Sequence, residues 1–328
     1  MHRLTFYYLR TPLTSLSFLL DGLKEGALTA FIQQPIVGEA IYLASPTLYG
    51  QIQADPQLTN PKLRQTVLKY MLRLGSRSTP FGLFAGCSLG NIGMQTSLDV
   101  SDRQPSIHYR LSTPVLWELL QYLNQLPDLR QALSYHVNTS LSLLGKEYRY
   151  LEVDPLSSPP RFFTSQLKGN SALRFVLRLA RQPSPFHTLV QKLNRQGYGE
   201  RESEAFINQL IVDQVLISEL TINVTGQDPL SQLIKLLQHI PAGESLWPGL
   251  KQVHLLLADS TPVQTKHSAV RNLFQQHFGL ELSDIPLLQG DTLFNGQAHQ
   301  LSTTLINGLS ESLQNLFGLS RAQLPPDT

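Results

Sequence analysis

Apolar residues recur at helical spacing in some stretches of this chain and gather into short aromatic or β-branched runs in others, with turn residues punctuating both. Residues 3 to 9 form the first run, an aromatic-rich strand that Pro12 ends, and Leu13 to Leu23 has a helical pattern. Ser45-Pro46 has the form of an N-cap followed by an N1 proline, so a helix is expected over Thr47 to Gln53. Asn60-Pro61 repeats that signal. Val67, Tyr70, Met71 and Leu74 then mark an apolar stripe, which predicts a helix over 61 to 76. It must stop before Thr79-Pro80, because the residue before proline is driven toward extended geometry. Phe84 to Ser88 and Ile107 to Leu111 read as strands, and a helix from Pro114 to Leu126 should bury Leu116, Leu119, Leu120 and Leu123.

The middle of the chain has a different texture. Tyr148 to Val153 and Phe162 to Leu167 read as strands, separated by a loop of breaker residues over 154 to 160. Three short helical patterns follow: Ser171 to Arg181 capped by Asn170, His187 to Arg195 ending at Gly197, and Glu202 to Val212 with Ala205, Phe206, Leu210 and Ile211 on its apolar side. Val215 to Leu220 closes the set as a strand. Two strands, three short helices and a closing strand suggest a winged-helix-like module, although a small helical subdomain that only packs fits the pattern equally. Asp228-Pro229 then opens a helix to His239, residues 263 to 278 form another, and Ser302 caps a last one through Phe317. The expected class is α+β, several subdomains of mixed helices and short sheets, divided at 1–146, 147–221 and 222–328.

Composition narrows the function classes. Charged residues make up only 15% of 328, and 26 Lys and Arg against 24 Asp and Glu leave +2, so any anion site must be local. One cysteine, Cys87, excludes an intrachain disulfide framework and a multi-cysteine metal cage, which suits a reducing cytoplasm. It is expected to be a buried, inert thiol in its apolar strand. The nine histidines show no metal-ligand spacing, so no metal is expected. Gly-rich phosphate loops are absent, and no run approaches the ~20 apolar residues of a membrane span. Ser76, Ser78 and Thr79 have no identifiable His or Asp partner and read as capping or turn residues.

Arg73 and Arg77 stand four apart at the end of the 61–76 helix. Two guanidiniums so placed can grip a phosphate or carboxylate, or can simply complement the negative helix C-terminus and cover core surface. The string around them, from Lys69-Tyr70-Met71-Leu72-Arg73 through Leu74-Gly75-Ser76-Arg77-Ser78-Thr79 to Pro80-Phe81-Gly82-Leu83-Phe84-Ala85-Gly86, resembles the signature near the start of lantibiotic dehydratases. Further matches fall in order at Leu9 to Pro12, Glu39 to Tyr49, Leu216 to Leu220 and Leu288 to Asp291.

That resemblance implies a glutamylation domain, which transfers glutamate from glutamyl-tRNA to Ser and Thr hydroxyls of a ribosomally made precursor peptide. A separate elimination domain then expels the glutamate. It implies that Arg73, Arg77, Thr79 and Asp291 are the glutamylation-critical positions and that Arg10 serves glutamyl-tRNA, a co-substrate, with no other cofactor. It also implies that the 147–221 module captures the precursor's leader by strand addition. Where relatives carry Asp after the Arg-Leu of the second strand, this chain has Ser112, which can cap the following helix instead. Expected partners are the precursor's leader, glutamyl-tRNA, the remainder of the glutamylation domain, an elimination domain and a cyclase. Expected localisation is cytoplasmic, with peripheral membrane association through a biosynthetic complex left open. Two other readings are an aminoacyl-tRNA-dependent peptide ligase of the same wide family and a non-catalytic leader-binding scaffold. The chain is shorter than the family's glutamylation domains, which suggests a fragment, a damaged copy or half of a split enzyme.

Overall fold

Start and stop signals along the sequence shape the elements of the computed structural model, which describes residues 5–319 apart from 23, 25–26, 80–81, 99–103, 155–156, 158–160, 222, 224, 283–285 and 296–298. Pro80 and Phe81 of the signature, most of the 154–160 loop and the last nine residues therefore lie outside the described residues. The elements run β1 (Phe6–Pro12), α1 (Leu16–Gly22), α2 (Ala27–Ile32), α3 (Pro35–Ala44), α4 (Pro46–Ala54), α5 (Pro61–Ser76), β2 (Ala85–Gly93) and β3 (Gln104–Leu111). Next come α6 (Thr113–Gln125), α7 (Pro127–Ala132), β4 (Ser134–Val137), β5 (Ser142–Leu144), β6 (Glu147–Asp154), β7 (Arg161–Lys168), α8 (Ser171–Leu179), β8 (Ser184–Pro185), α9 (Phe186–Asn194), α10 (Glu200–Val212) and β9 (Leu216–Ser218). The remainder is α11 (Pro229–Gln238), α12 (Trp247–Ala258), α13 (Val263–Phe278), β10 (Leu288–Asn295), β11 (His299–Ser302) and α14 (Thr303–Leu319). The architecture is α+β, and among the described residues no helix is long and apolar enough to cross a membrane.

The chain forms two compact units, one of Met1–Tyr109, Pro262–Gln264 and Gln289–Thr328, the other of Arg110–Thr261 and Thr265–Leu288. In the first unit a sheet runs in the order β1-β2-β10-β3, with β11 also on β2. β1 is antiparallel to β2, with Arg10 opposite Cys87 and Thr11 opposite Gly86. β10 and β11 join β2 in parallel, Thr292 beside Gly86 and His299 beside Gly90. Helices α1 to α5 hold this unit's core, in which Val67, Met71 and Leu74 of α5 meet Phe31, Val37, Ile41, Leu48 and Ile52. Helix α5 starts where Asn60 accepts a hydrogen bond from the Lys62 N–H and Pro61 occupies N1.

The second unit carries two small sheets, β8-β4-β9 and β5-β6-β7. Side-chain caps open its helices as the sequence suggests: Ser112 accepts from the Val115 N–H, Asn170 from Leu173 and Asp228 from Ser231. The closing strand β9 forms within Val215 to Leu220 and lies antiparallel to β4, Tyr135 opposite Ser218. Two readings change. The inward face of α10 is Ser203, Ile207 and Leu210, with Ala205 exposed, because a serine holds a core position and shifts the apparent apolar phase by one residue. Cys87 is only partly buried, since it faces the open side of the first unit's sheet.

Candidate functional site

The signature string divides physically into two halves. Its apolar half is explained by packing. Gly82 has φ +57, a left-handed backbone that costs glycine least, and Leu83, Phe84 and Ala85 are buried. At Gly86 a Cβ would meet the Phe294 ring at 2.5 Å, so only glycine lets β2 lie this close to the side chains of β10. Gly290, in the Leu288 to Asp291 match, faces Leu83 in the same way, at 2.7 Å. These residues assemble the sheet and its contact with the helices.

The polar half has no such structural role. Arg73, Arg77, Ser78 and Thr79 are all exposed. Arg73 lies in the last turn of α5, where its guanidinium sits 5.7 Å from the centroid of the Tyr70 ring. Tyr70 in turn packs edge-on against Phe84 at 5.7 Å. This aromatic pair, which sequence periodicity treats as core, forms a platform that orients the arginine. The i, i+3 spacing of Tyr70 and Arg73 is the signal that could have revealed it. Arg77 is the helix C-cap: its N–H still donates to the Arg73 carbonyl at 3.2 Å, but φ −111 and ψ 122 are extended. The two arginines are therefore linked by the helix's final hydrogen bond rather than by a continuous helical face. Among the described residues neither forms an ion pair.

Backbone bonds and strand pairing bring the other two candidate residues, Arg10 and Asp291, to the same end of the sheet. Just after β1, Leu13 N–H donates to Phe84 O at 2.9 Å and Thr14 N–H to Leu74 O at 3.1 Å, which ties the ends of β1 and α5 to the start of β2. Alternation along the strands puts Thr292 and Phe294 on the buried face, with Asp291, Leu293, Cys87 and Arg10 on the opposite face. Arg10 and Asp291 thus share one face across β2, with Cα atoms about 12 Å apart from strand spacing and rise. Arg10 is exposed, and Asp291 is partly buried and accepts from the Gln289 amide at 3.4 Å. Phe6, Tyr8 and Leu89 share this open face at 39%, 66% and 62% exposure, so the basic and acidic groups border an apolar surface.

Other matching residues have structural roles. Glu39 accepts from the Tyr109 hydroxyl at 2.6 Å and from the Val263 N–H at 3.4 Å. The Tyr109 hydroxyl is pushed far above its ordinary value, first by burial and then by this carboxylate, so it stays a donor. Ser112, where a carboxylate was in question, caps α6 and donates to the Pro286 carbonyl. Among the described residues no three His, Cys, Asp or Glu side chains gather as metal ligands would.

A family model described as lantibiotic dehydratase, N terminus, matches residues 33–327. Epidermin biosynthesis protein EpiB of Staphylococcus epidermidis is 25% identical over 342 residues, covering 96% of this chain and 33% of its own length. Subtilin biosynthesis protein SpaB of Bacillus subtilis is 25% identical over 256 residues, covering 72% of this chain and 24% of its own. Among solved structures, the tRNA dependent lantibiotic dehydratase MibB from Microbispora sp. 107891 superposes with a TM-score of 0.72 at 19% identity, over 98% of this chain and 31% of that one. The glutamylation domain of TbtB from thiomuracin biosynthesis gives 0.60 at 17% identity, over 89% and 36%. The structural matches show a shared fold. The chain spans about a third of the length of EpiB and MibB.

Proposed function

Because the chain belongs to the lantibiotic dehydratase N-terminal family, we propose that it takes part in transferring glutamate from glutamyl-tRNA to Ser and Thr side chains of a ribosomally made precursor peptide. The chemistry requires such a step. Hydroxide is a poor leaving group and a carboxylate a good one, so a Ser or Thr hydroxyl must be esterified before water can be eliminated. The hydroxyl oxygen attacks the glutamyl ester carbonyl, the bond to the tRNA terminal ribose breaks, and the proton passes to the ribose oxygen. The acyl group arrives activated, so the protein's task is to hold the two reactants and screen their charge.

In this reading Arg73 and Arg77 hold phosphate or the glutamyl carboxylate, Arg10 contributes to the tRNA side, and Thr79 and Asp291 lie at the reaction centre. The 147–221 segment takes the leader along the outer edge of β7, which has no strand partner among the described residues. The observation that carries the reading is the division of the signature: backbone conformation accounts for Gly82 and packing for Leu83 to Gly86, whereas Arg73, Arg77 and Thr79 are presented to solvent, the arginines without counter-ions among the described residues.

The test uses mass spectrometry of the peptide after incubation with glutamyl-tRNA, the chain, and a polypeptide carrying the family region beyond the matched third. Arg73→Ala and Arg77→Ala should each reduce glutamyl adducts at least about a hundredfold while thermal unfolding is unchanged. Lysine should restore little, because it lacks the planar fork. Activity near the parent's in both alanine variants contradicts the assignment.

A further inference from the structure

Charge is distributed unevenly along the chain. Between residues 161 and 199 there are seven Lys and Arg and no Asp or Glu, in a protein whose formal charge is +2, so all the rest carries −5. The second unit concentrates this positive charge on contiguous elements. Arg174 and Arg178 stand four apart on the outward face of α8, opposite buried Leu173, Val176 and Leu177, and Arg181 continues their line just past the helix. Lys192 and Arg195 are on the outward side of α9, opposite Phe186, Leu189 and Leu193. Arg161 and Lys168 bracket β7. All seven are exposed, and none is in an ion pair among the described residues.

Two local contacts draw part of the set together. The Arg174 guanidinium lies close to Gly169, the residue after Lys168, within 3.7 Å of where a Cβ would stand. The Tyr198 hydroxyl is 3.2 Å from that of Ser171, which brings the end of the α9 loop to the start of α8. Like charges at helical neighbour positions repel, and among the described residues no ion pair offsets that repulsion here, the helix C-termini giving Arg178 and Lys192 only a modest attraction. A polyanion would.

We infer that the outward faces of α8 and α9 are a docking surface for the phosphate backbone of folded RNA. A peptide strand added at the β7 edge meets the ends of β7 itself, and leaves the five cations on and after the two helices unexplained. A nucleic-acid duplex presents closely spaced negative charge over a broad front, and double-stranded RNA is held mainly through its backbone and shape. Arginine, which supplies five of the seven, suits phosphate bidentately. The inference rests on the glutamylation reading only for identifying the RNA as tRNA. This surface grips the body of the tRNA independently of any esterified amino acid.

The experiment therefore uses the full chain and deacylated, fluorescently labelled tRNA, with anisotropy titrations over a range of salt. The triple variant Arg174→Gln, Arg178→Gln, Arg181→Gln should bind at least about tenfold more weakly at low salt, with the slope of log affinity against log salt reduced by about 2 to 3. Arg64→Gln, an exposed arginine on α5, should bind like the parent. All three altered positions are on the surface, so thermal unfolding should match the parent's. An unchanged affinity and slope in the triple variant, or no tRNA binding by the parent, overturns the inference. So does a loss seen only with an acidic peptide such as polyglutamate, which would assign the surface to a peptide. Because no glutamate is transferred in this assay, failure of the glutamylation reading leaves its result intact.

Discussion

Lys266 has no solvent exposure, and its ammonium is satisfied locally by the carbonyls of Leu256 and Asp259 and by the Asp259 carboxylate at 2.6 Å. Its buried charge is tolerable because three acceptors meet three donors. The partner carboxylate is held down at about 2, chiefly by Lys266 and then by the Thr261 N–H. A depressed folded-state value means that the interaction stabilises the fold at pH above the ordinary carboxylate value of 3.8 and is lost as pH falls toward about 2. Urea midpoints measured against pH should therefore drop less steeply through that window in Asp259→Asn than in the parent; parallel curves contradict the pairing. A lysine in a helical pattern gives no hint of this in the sequence. Tyr70 was equally opaque, since an aromatic in an apolar stripe reads as core until Arg73 is found above its ring. Arg73, Arg77 and Thr79, by contrast, stand out as candidates in the sequence because their string is long and ordered, and what the structure adds is their exposure.

At the scale of elements, those with local punctuation were legible. Helices α4, α5, α6, α8 and α11 each begin at a side-chain cap visible in the sequence. Helices α3 and α12 were not legible, because Gln34 and Leu246 cap without a side-chain bond. β10 was missed because Gln-Gly-Asp-Thr reads as a turn, and only its pairing between β2 and β3 makes it a strand. β7 is an element whose edge can be tested. Its Phe162 and Phe163 point to opposite faces and are 66% and 45% exposed, so apolar surface flanks the edge on both sides. Neighbouring N–H groups in a strand point to opposite edges, so of Phe163→Pro and Thr164→Pro one removes a donor to β6 and the other a donor to the leader. The second should weaken leader binding about tenfold in a calorimetric titration while leaving the unfolding temperature near the parent's. Full leader affinity in both variants places the leader elsewhere.

At the scale of the whole molecule, the first unit is closed by segments far apart in sequence: β10 and β11 return about 200 residues later to lie on β2. No local pattern announces such a return, yet it sets Asp291 across β2 from Arg10. The second unit carries seven of its sixteen Lys and Arg on one run of strand and helices that holds no Asp or Glu. Under the proposed function the first unit holds the glutamyl ester and the second the leader and the tRNA body. The chemical step is tested by following radiolabelled glutamate from glutamyl-tRNA into the peptide, with free glutamate and ATP as the control. The assay contains the chain and the polypeptide that carries the family region beyond the matched third. Label is expected on Ser or Thr side chains, from glutamyl-tRNA alone, in a linkage that mild alkali cleaves. No label in the peptide, or label in an alkali-stable amide at the peptide's end, contradicts the proposed function.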